Sequence, residues 1–192
     1  MVNVHLKKMR PALLPGTTGI DYQHVAFRLL VDDAPFTGIG HKGIYFLKSF
    51  TDTKWIAGLG NQLTNFRLSH ANIREVGPIF ELTQSDKYVH YAFEKIRPET
   101  TKPELKTAVG VLDRAYATIG TKLHVTQVRR KHWPIEWMDC YHFETNFFET
   151  ARLEGAFAIH EPIDYIWEAP RPVEIVRDLY PQDRPAQSDP AA

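Results

Sequence analysis

The segment Gly43–Ile73, GIYFLKSFTDTKWIAGLGNQLTNFRLSHANI, constrains the fold of this chain more than any other. It opens with a strand pattern, Gly43–Ser49, in which side chains alternate: Tyr45, Leu47 and Ser49 on one face, Ile44, Phe46 and Lys48 on the other. Thr51 or Asp52 can cap a following helix. Trp55, Ile56, Leu59 and Leu63 form its apolar stripe at i, i+1, i+4 and i+8. From Phe66 to Val76 the pattern returns to strand. Polar residues (Lys48, Asn61, Asn65, Arg67, His70) are threaded through these core-forming positions, where an ordinary core segment has no use for them.

The flanking sequence is dominated by β-formers. Tyr22–Asp32 reads as a strand with Val25, Phe27, Leu29 and Val31 on one face and His24, Ala26, Arg28 and Leu30 on the other. Pro78–Gln84 and Lys87–Ile96 read as strands joined by a tight turn at Ser85–Asp86. Lys122–His132, Tyr141–Glu149, Arg152–His160 and Tyr165–Trp167 follow. Met1–Gly19, with Pro11, Pro15, Gly16 and Gly19, reads as an irregular entry. Pro103–Ile119 carries the longest helical periodicity, with Pro103 in its first turn and Gly120 as its stop. About nine strands against two helices predict a mostly antiparallel α+β domain, a curved or closed sheet with helices packed on it. One domain over residues 1–180 is expected, followed by a Pro/Ala/polar tail, residues 181–192, expected to be disordered.

Charge and composition exclude several classes of function. The 23 basic and 23 acidic side chains cancel, which argues against a nucleic-acid or anionic-membrane partner held by bulk charge. The one basic run, Arg129-Arg130-Lys131-His132 before Trp133, would split between two strand faces and reads as a solvated edge or an oligomer contact. Cys140 is the only cysteine, so no intrachain disulfide forms and a reducing, cytoplasmic setting is expected. No segment approaches the ~18 apolar residues of a membrane span. The nine histidines show no HExxH and no paired Cys/His spacing, so neither a metal nor a cofactor is expected. Nucleophile-elbow, P-loop and dinucleotide-fingerprint patterns are likewise lacking.

The Gly43–Ile73 run, His132-Trp133-Pro134-Ile135 and the late FFETARLEGAFAIHEPIDYIWEAP together resemble a family of uncharacterised conserved bacterial proteins, the YqjF-like group. The resemblance covers most of Tyr22–Pro170. The family pattern is a G-V-Y-F-x-x-S strand, a short helix, a strand and a late tryptophan-proline step. The group looks like a branch of the acetoacetate-decarboxylase-like superfamily. That implies a closed, cone-like β structure with a central cavity, often in oligomers. It also implies a Schiff-base lysine for β-keto acids, its pKa lowered by a second lysine and an apolar pocket. The matching stretch here, Gly60–Phe66 (GNQLTNF), has no lysine, so the catalytic lysine of that superfamily is assigned to no residue of this chain.

Candidate chemistry rests on individual positions. Lys48, if its face lines a cavity, is a desolvated amine suited to Schiff-base or anion-binding chemistry; the alternative is a lysine reaching solvent from a strand end. Asn61, Asn65 and Arg67 supply donors for a carboxylate, Arg67 in bidentate fashion; the alternatives are helix capping and a surface ion pair. Glu94 shares a face with Tyr88, His90, Ala92 and Ile96 and is a candidate acid or base, or else part of a solvated face. Gly58 and Gly60 read as close approach to a ligand or as close helix-on-sheet packing. The function expected is binding of a small organic acid or keto compound, with lyase-type chemistry as its enzymatic form. The alternative is a non-catalytic sensing or structural module that has lost the lysine. A homo-oligomer is expected.

Overall fold

The computed structural model of the chain describes residues 1–10, 15–63, 67–95, 113–119, 121–130, 135–159 and 165–174. Thirteen strands and two short α-helices follow in order among them. These are β1 (Val2–Met9), β2 (Ile20–Asp32), α1 (Ala34–Thr37), β3 (Lys42–Thr51), α2 (Lys54–Leu63), β4 (Leu68–His70) and β5 (Asn72–Val76). Then come β6 (Ile79–Gln84), β7 (Lys87–Lys95), β8 (Arg114–Ile119), β9 (Lys122–Arg130), β10 (Glu136–Thr145), β11 (Ala156–Ala158), β12 (Tyr165–Trp167) and β13 (Arg171–Pro172).

They form two sheets. The first has eight strands in the order β1-β2-β3-β8-β9-β12, with β4 added to β3 and β13 to β9; the second runs β11-β10-β7-β6-β5. Pairing is antiparallel except at β3–β4 and β3–β8. The mostly antiparallel β architecture expected from the sequence is present. No described helix is long and apolar enough to cross a membrane.

β2 is buried on both faces at residues 23–27, and each face serves a different core. Val25 and Phe27, with Phe50 of β3, pack against Phe80, Leu82 and Val89 of the second sheet, and Phe147 closes the gap. The aromatic contacts are tight: Phe147 lies 5.1 Å from Phe27 and 5.2 Å from Phe50, ring centre to ring centre. Val89 is buried and Tyr91 packs on this core, as their alternation in sequence predicts. The opposite face carries a second cluster, Ala26, Ile44, Phe46, Ala115 and Val128, with Trp167 against it. Trp167 on β12 reaches Phe46 on β3 with ring centres 6.1 Å apart. Three strand spacings separate β3 from β12 in the sheet order, about 14 Å if the sheet were flat. The sheet is therefore curled, and this face is its concave side.

Five segments depart from expectation. Met1–Gly19 is not wholly irregular, because Val2–Met9 pairs with β2. Phe66–Val76 is not one strand: β4 joins the first sheet, β5 the second, and the buried Ala71 between them donates its N–H to the Thr51 carbonyl at 2.9 Å. The helix expected over Pro103–Ile119 is contradicted where it can be seen, since Arg114–Ile119 is β8; residues 103–112 lie outside the described residues. Ala115 and Tyr116 are both buried, on opposite faces. A strand covered on two sides carries consecutive apolar residues and mimics a helical stripe. Tyr141–Glu149 begins earlier, at Glu136, and of Arg152–His160 the described residues, 152–159, contribute only Ala156–Ala158. The tail from residue 181 lies outside the described residues.

Glycine at position 43 has a physical reason. A Cβ there would stand 2.6 Å from the Tyr116 ring and 2.8 Å from the Arg114 carbonyl oxygen, so a side chain would prise β3 from β8. Gly58 differs: a Cβ would meet nothing within 4 Å, so it is not there for close helix-on-sheet packing. Gly58→Ala is expected to stabilise the protein by about 0.5–1 kcal/mol, because alanine restricts the unfolded chain and favours helix. A lowered urea midpoint would show that the position has another role. The α2 stripe is only partly inward: Ile56 is buried, while Trp55 and Leu59 are 54% and 42% exposed.

Candidate functional site on the concave face

Strand pairing builds this site. On β2, His24 lies opposite Thr51, Ala26 opposite Ser49 and Arg28 opposite Phe46, and residues paired in this way present their side chains to the same face. Between Phe27–Lys48 and Arg28–Phe46 the register shifts by one residue, which makes Leu47 a bulge. A bulge re-aims the side chains beyond it. Phe46 consequently falls on the concave face with Ile44 and Ala26, whereas Leu47 packs on the inter-sheet core.

Phe46 is the floor. Arg28 places its guanidinium carbon 5.7 Å from the ring centre, His24 stacks on it at 6.3 Å with planes 19° apart, and Trp167 closes the third side. Burial, and then the positive charge of Arg28, lower the His24 imidazole from its ordinary value to about 3. The ring is therefore neutral at pH 7. Ser49 is fully buried, and its hydroxyl has no hydrogen-bond partner among the described residues. Buried hydroxyls are nearly always paired, so an unpaired one on the face that also carries Arg28 and His24 calls for a functional reading.

The positions expected from the sequence lie elsewhere. Lys48 does not share a face with Phe46. It is exposed, with Nζ 5.6 Å from the centre of the Phe147 ring on the opposite side of the sheet. Asn61 embraces the backbone of Leu68, its Nδ2 donating to the Leu68 carbonyl and its Oδ1 accepting from the Leu68 N–H, both at 2.6 Å. This ties α2 to β4. Asn65 lies outside the described residues. Arg67, at φ 51°, donates to Thr118 Oγ1 at 3.0 Å and sits 5.9 Å over the Tyr45 ring, bridging β4 to β8. Tyr45 pairs with Leu29, on the face of β2 opposite Arg28. Glu94 is exposed on β7 across from Asp139.

The structure thus gathers His24, Arg28, Ser49 and Trp167, none of which stands out as a site residue in the sequence. The available signal was a histidine and an arginine on the second face of a strand whose first face is core. Comparison of the chain with family models, with curated proteins and with solved structures finds no match.

Proposed function

We propose that this chain is a small-molecule protein of the acetoacetate-decarboxylase-like kind that binds a small organic acid without covalent chemistry. The ligand would lie in the concavity of the first sheet. The observation that supports this is the placement of Arg28 and the buried Ser49 hydroxyl on a concave aromatic face, beside a neutral His24. An arginine held over a ring offers a carboxylate a two-pronged donor, and apolar walls strengthen that interaction by lowering the local dielectric. Phe46 and Trp167 would cover the organic part of the ligand. Non-covalent binding is favoured over a Schiff base because Lys48 is exposed on the other face of the sheet.

The test is calorimetric titration with a panel of small mono- and dicarboxylates and keto acids. Arg28→Ala is expected to weaken binding about tenfold to a hundredfold, the ~1.5–3 kcal/mol of a hydrogen bond to a charged group. Borohydride treatment with keto acids is expected to leave the intact mass unchanged. An adduct on Lys48 would replace this reading with a Schiff-base enzyme. Absence of binding across the panel, or binding indifferent to Arg28→Ala, would remove it.

A further inference from the structure

The outer face of the second sheet carries a second constellation, independent of the concave face. His142 Nε2 lies 3.2 Å from His90 Nδ1 and 3.9 Å from Glu144 Oε1. The three ligand atoms all fall within 4.8 Å of one another. The separation of the two nitrogens is what a metal needs: ligands about 2.0–2.1 Å from zinc, spread at a tetrahedral angle, stand roughly 3.4 Å apart. A second carboxylate, Glu81, places Oε1 3.9 Å from His90 Nε2, the ring nitrogen that faces away from His142. Metal-bound histidines commonly direct their other nitrogen at a carboxylate, which fixes the tautomer and raises ligand basicity.

A bulge makes this arrangement. On β10, Cys140 pairs with Phe93, but His142 pairs with Ala92, leaving Tyr141 as an extra residue. In unbroken register His142 would lie opposite Tyr91, whose side chain packs on the core between the sheets. The bulge instead turns His142 and Glu144 to the face of His90, with Glu144 directly across from it. Cys140 donates its thiol to the His142 carbonyl at 3.2 Å, across the bulge.

We propose that His90, His142 and Glu144 form an open three-ligand site for a divalent transition cation, zinc foremost, with Glu81 positioning His90. Two neutral imidazoles and a carboxylate suit zinc or cobalt and discriminate against magnesium and calcium, which prefer all-oxygen shells. One ligand charge leaves the cation at +1, and Glu81 offsets the remainder. Three protein ligands leave a fourth position for an exchangeable group. A depression of about 230 Å³ lined by Arg74, Val76, Ile79 and Glu81 opens beside the site and shares Glu81 with it.

Equilibrium dialysis of the tag-free full chain against Zn²⁺ tests this. One ion per chain is expected to bind saturably, to persist in excess Mg²⁺ or Ca²⁺, and to be replaced by Co²⁺ with the strong visible bands of four-coordinate cobalt. His142→Ala and Glu144→Gln are each expected to weaken binding by at least about tenfold, and Glu81→Gln by about tenfold. Circular dichroism checks folding; Glu144 is exposed, so its variant remains readable should a histidine variant fail to fold. Zinc bound equally well by these variants would place the ion on other histidines and overturn the proposal, as would the absence of saturable binding.

Discussion

Lowering the pH from 7 to 4 is expected to remove about 3 kcal/mol from the stability of the folded chain through His24 alone. The folded imidazole titrates at about 3, chiefly because of burial and secondly because of Arg28, against an ordinary 6.5. A histidine depressed in the folded state lets the unfolded chain bind the proton first. The stability tied to its neutral form is therefore full above about pH 6.5 and falls as the pH drops toward 3, by up to ~1.4 kcal/mol per pH unit. Asp33 acts in a lower window. Burial pushes its carboxyl up, but hydrogen bonds from the His41 N–H, the Tyr116 hydroxyl and Thr37 outweigh that and hold it below the ordinary carboxylate value. Its contribution is present above the ordinary 3.8 and is lost as the pH falls through the lower folded value. Urea unfolding between pH 7 and 4 should show the slope, and His24→Phe, which keeps a ring on Phe46, should flatten it. Parallel curves for the two proteins would mean that His24 is not the source.

Phe50→Ala is expected to cost about 3–5 kcal/mol, the range for deleting a buried aromatic ring. Phe50 is 1% exposed and stands at the centre of the inter-sheet core. It meets Phe27 edge-on at 6.1 Å and Phe147 at 5.2 Å. Those neighbours come from β2 and from the segment after β10, so the cavity cannot close without moving one sheet against the other. Phe46→Ala on the concave face removes a ring of equal size, but its neighbours His24, Arg28 and Trp167 lie on a single sheet that can relax toward it. The loss in urea unfolding free energy should be larger for Phe50. Equal or reversed losses would show that the two sheets are not held chiefly by this core.

Much of the β-rich fold was legible because period-2 alternation is a local property. Tyr165–Trp167, Ile79–Gln84 and Lys87–Lys95 fall where the pattern puts them, and the turn at Ser85 adopts the positive φ that a tight connection requires. The glycine that opens the Gly43 strand is explained by the approach of β8, a strand some 70 residues later in the chain. Arg114–Ile119 was misread because a strand covered on both faces loses the alternation that identifies it.

The residue types were set by the sequence: an arginine, a histidine and a serine on β2 and β3, two histidines and two glutamates on β6, β7 and β10, and apolar faces enough for two cores. Which of them meet was decided by tertiary structure, at two bulges. The one at Leu47 separates Lys48 from Phe46 and leaves the concave face to Arg28 and His24. The other, at Tyr141, brings His142 and Glu144 round to His90, 52 residues away in the chain. A bulge exists only where one strand holds an extra residue against its partner, and each one inverts the in-and-out order beyond it. Alternation along a single strand contains no trace of that partner, so the elements could be read from the chain while the faces of its polar side chains could not.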